Sequence, residues 1–141
     1  MKTLRSLGTL VLIVFTLSAF ASDEAATEKL SMNHAVKTYL DAVSLGKLKG
    51  LAQVLDPEIK FTSTRGQRII RHGKIEMLSI FKHNENIQQN CIADYTIMES
   101  NPRQAVVKVT MKYENFSKVE FLNIVYTSRG WKITDVSSTF I

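Results

Sequence analysis

The sequence predicts an α+β domain: helices from the N-terminal half packed on an antiparallel sheet built mainly by the last third of the chain. Three observations carry this. Apolar residues recur at helical spacing between Met32 and Val43, and again between Leu48 and Leu55. After residue 88 the chain turns to long stretches rich in β-branched and aromatic residues, separated by turn residues. The 141 residues suffice for one domain and not for two.

Residues 1–21 read as a cleaved secretory signal. Lys2 and Arg5 give a positive start, residues 7–20 are apolar apart from Gly8, Thr9, Thr16 and Ser18, and Ala19-Phe20-Ala21 supplies a small-x-small cleavage pattern. The alternative is a membrane anchor, but the apolar run is about 14 residues, short of the ~20 that a spanning helix needs. No Cys stands at the cleavage point, which argues against a lipid-anchored form. The mature protein is expected to be soluble, free of the membrane, and periplasmic or secreted if bacterial. Residues 22–30 are small and polar and read as a flexible tail. The domain is assigned to residues 31–141.

Within the domain, Met32, Val36, Tyr39, Leu40 and Val43 form one apolar stripe of a helix, with Ser31 as N-cap and Gly46 as its stop. A second, short helix has Leu48, Leu51, Ala52 and Leu55 on one face, and Asp56-Pro57 ends it. Residues 59–64 and 67–71 read as two short strands around Arg65-Gly66. Gly73 then opens a third helix over Lys74–His83, with Ile75, Leu78 and Phe81 inward. Four long strands follow over residues 89–99, 104–114, 118–128 and 131–139, with turns at Asn101-Pro102, Asn115 and Arg129-Gly130. Strands this long and this tightly joined form an antiparallel meander.

The strand patterns indicate burial. Val107, Val109, Met111 and Tyr113 alternate with Val106, Lys108, Thr110 and Lys112, so one face is core and the other mostly solvent. The next strand is apolar on both sides: Phe121 and Val125 point one way, Leu122, Ile124 and Tyr126 the other. A sheet covered by helices on one side needs a second partner for such a strand. A homodimer through an outer face around Leu122, Ile124 and Tyr126 is the expectation.

The formal charge is +5, and loss of Lys2 and Arg5 leaves 16 basic and 13 acidic residues, a net of +3. Basic residues are spread through every segment rather than gathered among aromatics, which argues against nucleic acid as a partner. Cys91 is the single cysteine, so no internal disulfide forms, and it reads as a small buried apolar residue of a strand rather than a nucleophile.

Two stretches resemble the nuclear-transport-factor-2-like (cystatin-like) superfamily. One is Ala35-Val36-Lys37-Thr38-Tyr39-Leu40-Asp41-Ala42-Val43 with Gly46-Lys47-Leu48 and Leu51, where Lys47 stands in place of a common acidic residue. The other is Phe121-Leu122-Asn123-Ile124-Val125-Tyr126 running to Gly130-Trp131-Lys132-Ile133, which is similar to the lumazine-binding-like and polyketide-cyclase-like branches. The resemblance implies three N-terminal helices on a strongly curved antiparallel sheet, forming a cone with an apolar pocket. It does not fix a function.

The ketosteroid-isomerase type within that superfamily uses a carboxylate base with an oxyanion hole made of a Tyr and a neutral Asp. Laying that pattern on this sequence puts the Tyr at Tyr39, the oxyanion Asp at about Asn123 and the base near Ser63. The base is therefore missing, and proton abstraction is not expected. Dehydratase-like relatives use His and Asp in the pocket. His72 and His83 read as a turn residue and a helix-end residue, and His34 as solvated, whereas Asp94 and Asp135 lie on strands, where an unpaired buried Asp would be costly. Three scattered His and one Cys offer no metal cluster, and Asn115-Phe116-Ser117 reads as a hairpin turn that also fits a glycosylation sequon. No catalytic residue, metal or cofactor is assigned.

The leading expectation is a non-catalytic module binding a small apolar molecule, with Tyr39, Phe61, Tyr126 and Trp131 as aromatic walls and Asn123 or Asp135 as the polar contact. The alternatives are a small isomerase, cyclase or dehydratase acting on a hydrophobic carbonyl compound, and a structural interaction domain with a filled cone.

Overall fold

The structure, a computed structural model, describes residues 31–141; the expected signal segment 1–21 and tail 22–30 lie outside the described residues. In chain order the elements are α1 (Met32–Leu45), α2 (Leu51–Val54), β1 (Leu55–Arg65), β2 (Arg68–His72), α3 (Lys74–His83), β3 (Ile92–Ser100), β4 (Gln104–Lys112), β5 (Ser117–Thr127) and β6 (Gly130–Phe140). The six strands form one sheet in the order β2-β1-β6-β5-β4-β3. Strands β3 to β6 are the expected antiparallel meander. The sheet departs from all-antiparallel at one place, because β1 pairs with β6 in parallel. The helices also depart from an N-terminal set of three: α2 is a single turn, and α3 follows the β1–β2 hairpin.

Local chemistry explains the ends of α1. The Ser31 side chain accepts from the His34 backbone N–H at 3.1 Å, and Gly46 closes the helix in the left-handed region at φ 68°. The second helix is shorter than its apolar pattern suggests. Leu55 is taken into β1, and the strand runs through Asp56-Pro57 where its register against β6 shifts between Leu55 and Lys60. Proline is tolerated in a sheet at such an irregularity. Lys74 Nζ donates to the carbonyls of Ala52 and Leu55, at 2.8 and 2.9 Å, and Lys132 Nζ donates to Gln53. These lysines satisfy backbone acceptors that a helix end leaves open.

The core lies on one face of the sheet. Val36 and Tyr39 of α1, Leu51 and Val54 of α2, and Phe61, Val107, Val109, Leu122, Ile124, Ile133 and Val136 of the strands form one cluster. Register irregularities at Ile97/Glu99 and Asn123/Ile124 bend the sheet around this cluster. The second of them reverses the alternation of β6, so that Ile133 and Val136 both face the core while Asp135 does not.

Two expectations are corrected here. Ile75 is 86% exposed, not inward. At 3.6 residues per turn it lies almost opposite Met77 and Phe81, and with half-buried Leu78 those are the residues that α3 packs on the core. On β5 the faces are exchanged: Leu122 and Ile124 are 0% exposed in the core, and Phe121, at 42% exposed, stands on the outer face with half-buried Val125. The strand is apolar on both sides, as its sequence indicates. Burial of Leu122 against Val136 and of Ile124 against Ile133 sets which side is the core.

Candidate functional site

The alternation that buries Leu122 and Ile124 also turns Glu120 and Lys118 to the core side of β5. Glu120 is 3% exposed. Such burial needs partners, and three elements supply them. The Tyr39 hydroxyl of α1 donates to Glu120 Oε1 at 3.0 Å, and the Ser138 hydroxyl of β6 donates to Oε2 at 2.9 Å. Lys118 Nζ lies 3.6 Å from Oε2. The pattern is that of a carboxylate acting as acceptor through both oxygens. Burial, first, and then the charge and hydrogen bond of Glu120 raise the Tyr39 pKa well above the usual phenol value, which keeps this side chain a donor.

Two cavities adjoin this network, and Met77, Ile80, Lys118 and Glu120 border both. The first, about 280 Å³, opens beside the β1–β2 hairpin between Phe61, Ser63, Ile70, His72, Val136 and Phe140, with Arg65 at its edge. The second, about 260 Å³, lies under α1 and the connection after α3, where Tyr39, Val43, Asn84, Ile87, Gln89 and Tyr113 line it. The Phe81 ring sits edge-on to both Tyr39 (6.4 Å) and Phe61 (6.3 Å) and ties the aromatic wall to α3. The far end of α3 is held by the Asn86 backbone N–H donating to the Gly46 carbonyl at 2.9 Å. That approach is close enough that a Cβ on Gly46 would lie 2.7 Å from Asn86 N and 2.8 Å from Asn84 O.

The six residues expected to form one pocket are divided by the fold. Tyr39 and Phe61 stand at the two cavities. Tyr126 and Trp131 pair across the β5–β6 turn with ring centroids 5.6 Å apart. Six residues along the strand separate Tyr126 from Glu120, roughly 20 Å. Asn123 and Asp135 are register partners on the sheet face opposite Leu122 and Val136, away from the cavities. Ser63, where the resemblance puts a base, does line the first cavity. The carboxylate that meets Tyr39 is Glu120, three residues before Asn123. His72 lines the first cavity and bonds Glu76, while His83 bonds the Ser79 carbonyl. Asp94 is exposed on β3, at the opposite edge of the sheet from the β2 strand that carries His72. Cys91 is half-buried. Among the described residues no three His, Cys, Asp or Glu side chains gather as a metal site, and no helix is long and apolar enough to cross a membrane.

Sequence reasoning missed Glu120, although its signal was present. A charged residue in register with Leu122 and Ile124 must either be exposed at the sheet end or be buried and paired. For Asp94 and Asp135 the outcome differs: Asp94 pairs with Thr110 on the face opposite core-facing Tyr95 and Val109, and the bulge beside Asp135 keeps it off the core side.

No protein-family model matches the sequence, and no curated protein does. Solved structures do match. A nuclear-transport-factor-2-like protein of unknown function from Silicibacter pomeroyi DSS-3 aligns with a TM-score of 0.66 at 12% identity, covering 86% of this chain and 98% of its own. A similar protein from Cytophaga hutchinsonii gives 0.61 at 17% identity, covering 78% and 95%. One from Rhodospirillum rubrum, described as of unknown function in nutrient uptake, gives 0.56 at 17%, covering 78% and 98%. The chain therefore has the nuclear-transport-factor-2-like α+β fold, with its six-stranded curved sheet.

Proposed function

We propose that this protein is an exported, non-catalytic module that binds a small, largely apolar molecule in the cavities beside Glu120. The observation that carries this reading is the buried carboxylate at the junction of two cavities, the one beside the hairpin mainly apolar-walled. A filled cone would give Met77 and Ile80 packing partners instead of two open volumes of about 280 and 260 Å³. Each lies just below the ~300–1,000 Å³ range of small-molecule sites, so a small ligand is implied. Export rests on the charged start, apolar run and Ala19-Phe20-Ala21 of the sequence, and intact mass of the exported protein tests it.

The Tyr39–Glu120 pair favours a second reading, an isomerase, cyclase or dehydratase of a hydrophobic carbonyl compound. Two features weigh against it. Two hydroxyl donors already engage both Glu120 oxygens, and Ser63 offers a hydroxyl where a base would be needed. Native protein, Ser63→Asp and Glu120→Gln should be compared on a conjugating enone by absorbance. No native turnover is expected, with weak activity at most in Ser63→Asp. Native turnover abolished by Glu120→Gln would establish the enzyme reading instead.

The partner we propose is a second copy of the chain, meeting the outer sheet face. The apolar residues available there are Phe121 and half-buried Val125, in place of Leu122 and Ile124. The similarity of residues 121–133 to the lumazine-binding-like branch belongs to this proposal as well.

A further inference from the structure

Resting on the small-molecule reading of the cavities, we infer that the ligand is an amphipathic organic anion: an apolar body with one carboxylate, sulfonate or similar group, its charged end at the β1–β2 hairpin. The cavity beside the hairpin combines six apolar side chains, Phe61, Ile70, Met77, Ile80, Val136 and Phe140, with the cationic groups Arg65 and Lys118. These two are brought together at Phe140. The Arg65 guanidinium stands 6.0 Å from the centre of the Phe140 ring, and Lys118 is the register partner of Phe140 across the β5–β6 ladder. A half-exposed aromatic ring thus carries one cation over its face and another beside it, at the edge of an apolar cavity.

The acidic groups nearby do not cancel this charge. Glu120 is the single carboxylate among the residues lining that cavity, and it is buried with Tyr39 and Ser138 already donating to it. Its contact with Lys118, at 3.6 Å, is long and leaves the ammonium partly exposed. Glu76 is taken by His72. Among the described residues no carboxylate pairs with Arg65. A cationic ligand would meet two cations and no available carboxylate, whereas an anion would meet both with its apolar part against Phe61, Met77 and Ile80. In the second cavity Asn84, Gln89 and Tyr113 add neutral polar groups and no further cation, so the charged end belongs at the hairpin.

The test uses a matched pair of fluorescent probes, anilinonaphthalene sulfonate and its uncharged parent anilinonaphthalene, titrated into native protein, Arg65→Gln and Ser63→Phe. Arg65 is exposed and its substitution leaves the core intact; Ser63→Phe fills the cavity without changing charge. The sulfonate should bind saturably and about tenfold more tightly than the neutral probe, with roughly fivefold lost in Arg65→Gln, the size of one partly exposed charge pair. The neutral probe should be unchanged by Arg65→Gln, and Ser63→Phe should remove both. Equal affinity for the two probes and no effect of Arg65→Gln, with Ser63→Phe still removing both, would overturn the anion inference and leave the binding reading standing. No binding of either probe, or binding indifferent to Ser63→Phe, would overturn the binding reading and the inference with it.

Discussion

Replacing Tyr39 with Phe removes one oxygen from the centre of the molecule and tests whether the Glu120 network supports the fold. The ring keeps its packing against Phe81, and only the 3.0 Å bond to Glu120 Oε1 is lost. Both partners are almost wholly buried, so bulk solvent screens the bond little. A hydrogen bond to a charged group contributes about 1.5–3 kcal/mol, and that is the expected destabilisation. For a domain of about 110 residues, at roughly 4 °C per kcal/mol, the melting temperature should fall by about 6–12 °C. Urea unfolding followed by circular dichroism gives the free energy. The cycle with Glu120→Gln isolates the pair, because the amide lacks the second acceptor oxygen and its charge. In that background Tyr39→Phe should cost less than about 1 kcal/mol, a coupling within the range for groups in direct contact. A loss below ~0.5 kcal/mol in the native background, or the same loss in both, would refute the network as a stabilising unit.

Three further expectations follow from other parts of the structure. Phe121→Lys should leave the domain folded and, where the native protein is a dimer by sedimentation, yield a monomer, whereas Ile124→Lys should unfold it because the charge enters the core; a native monomer at micromolar concentration removes the dimer. Gly46→Ala should cost about 1–3 kcal/mol, from a positive φ and a Cβ pressed against the Asn84–Asn86 backbone, and unfolding at native stability would contradict that contact. The raised Tyr39 pKa means the folded chain holds that proton more tightly than the unfolded chain, so its contribution is complete below the ordinary tyrosine value of ~10 and is lost as pH rises beyond it. Melting temperature measured from pH 8 upward should therefore fall more steeply for native protein than for Tyr39→Phe, and parallel curves would count against it.

The elements were legible where local chemistry dominates. Ser31 and Gly46 bound α1, Lys74–His83 is helical, and β4 buries Val107, Val109 and Met111, because capping and periodicity are properties of neighbouring residues. What depends on distant pairing was not. The parallel β1–β6 pairing draws Leu55 into a strand, and the irregularity at Asn123/Ile124 turns Asp135 away from the core. Which face of β5 is buried follows from its neighbours β4 and β6, so the alternation alone left Leu122 and Phe121 exchangeable. The site was half legible. Tyr39 and Phe61 were found as aromatics on core-facing positions, but the convergence of Glu120, Ser138 and Lys118 is created by the β5–β6 ladder folding back on α1.

The role of the Glu120 cavities as a small-molecule site is tested most directly by native mass spectrometry of the protein purified from its own host, with Ser63→Phe prepared in parallel. The native protein should carry an added small mass that is shed on gentle activation and released as an organic anion, and the cavity-filled variant should fly as the bare polypeptide. A native protein at the bare polypeptide mass, or one whose added mass persists unchanged in Ser63→Phe, would contradict the site.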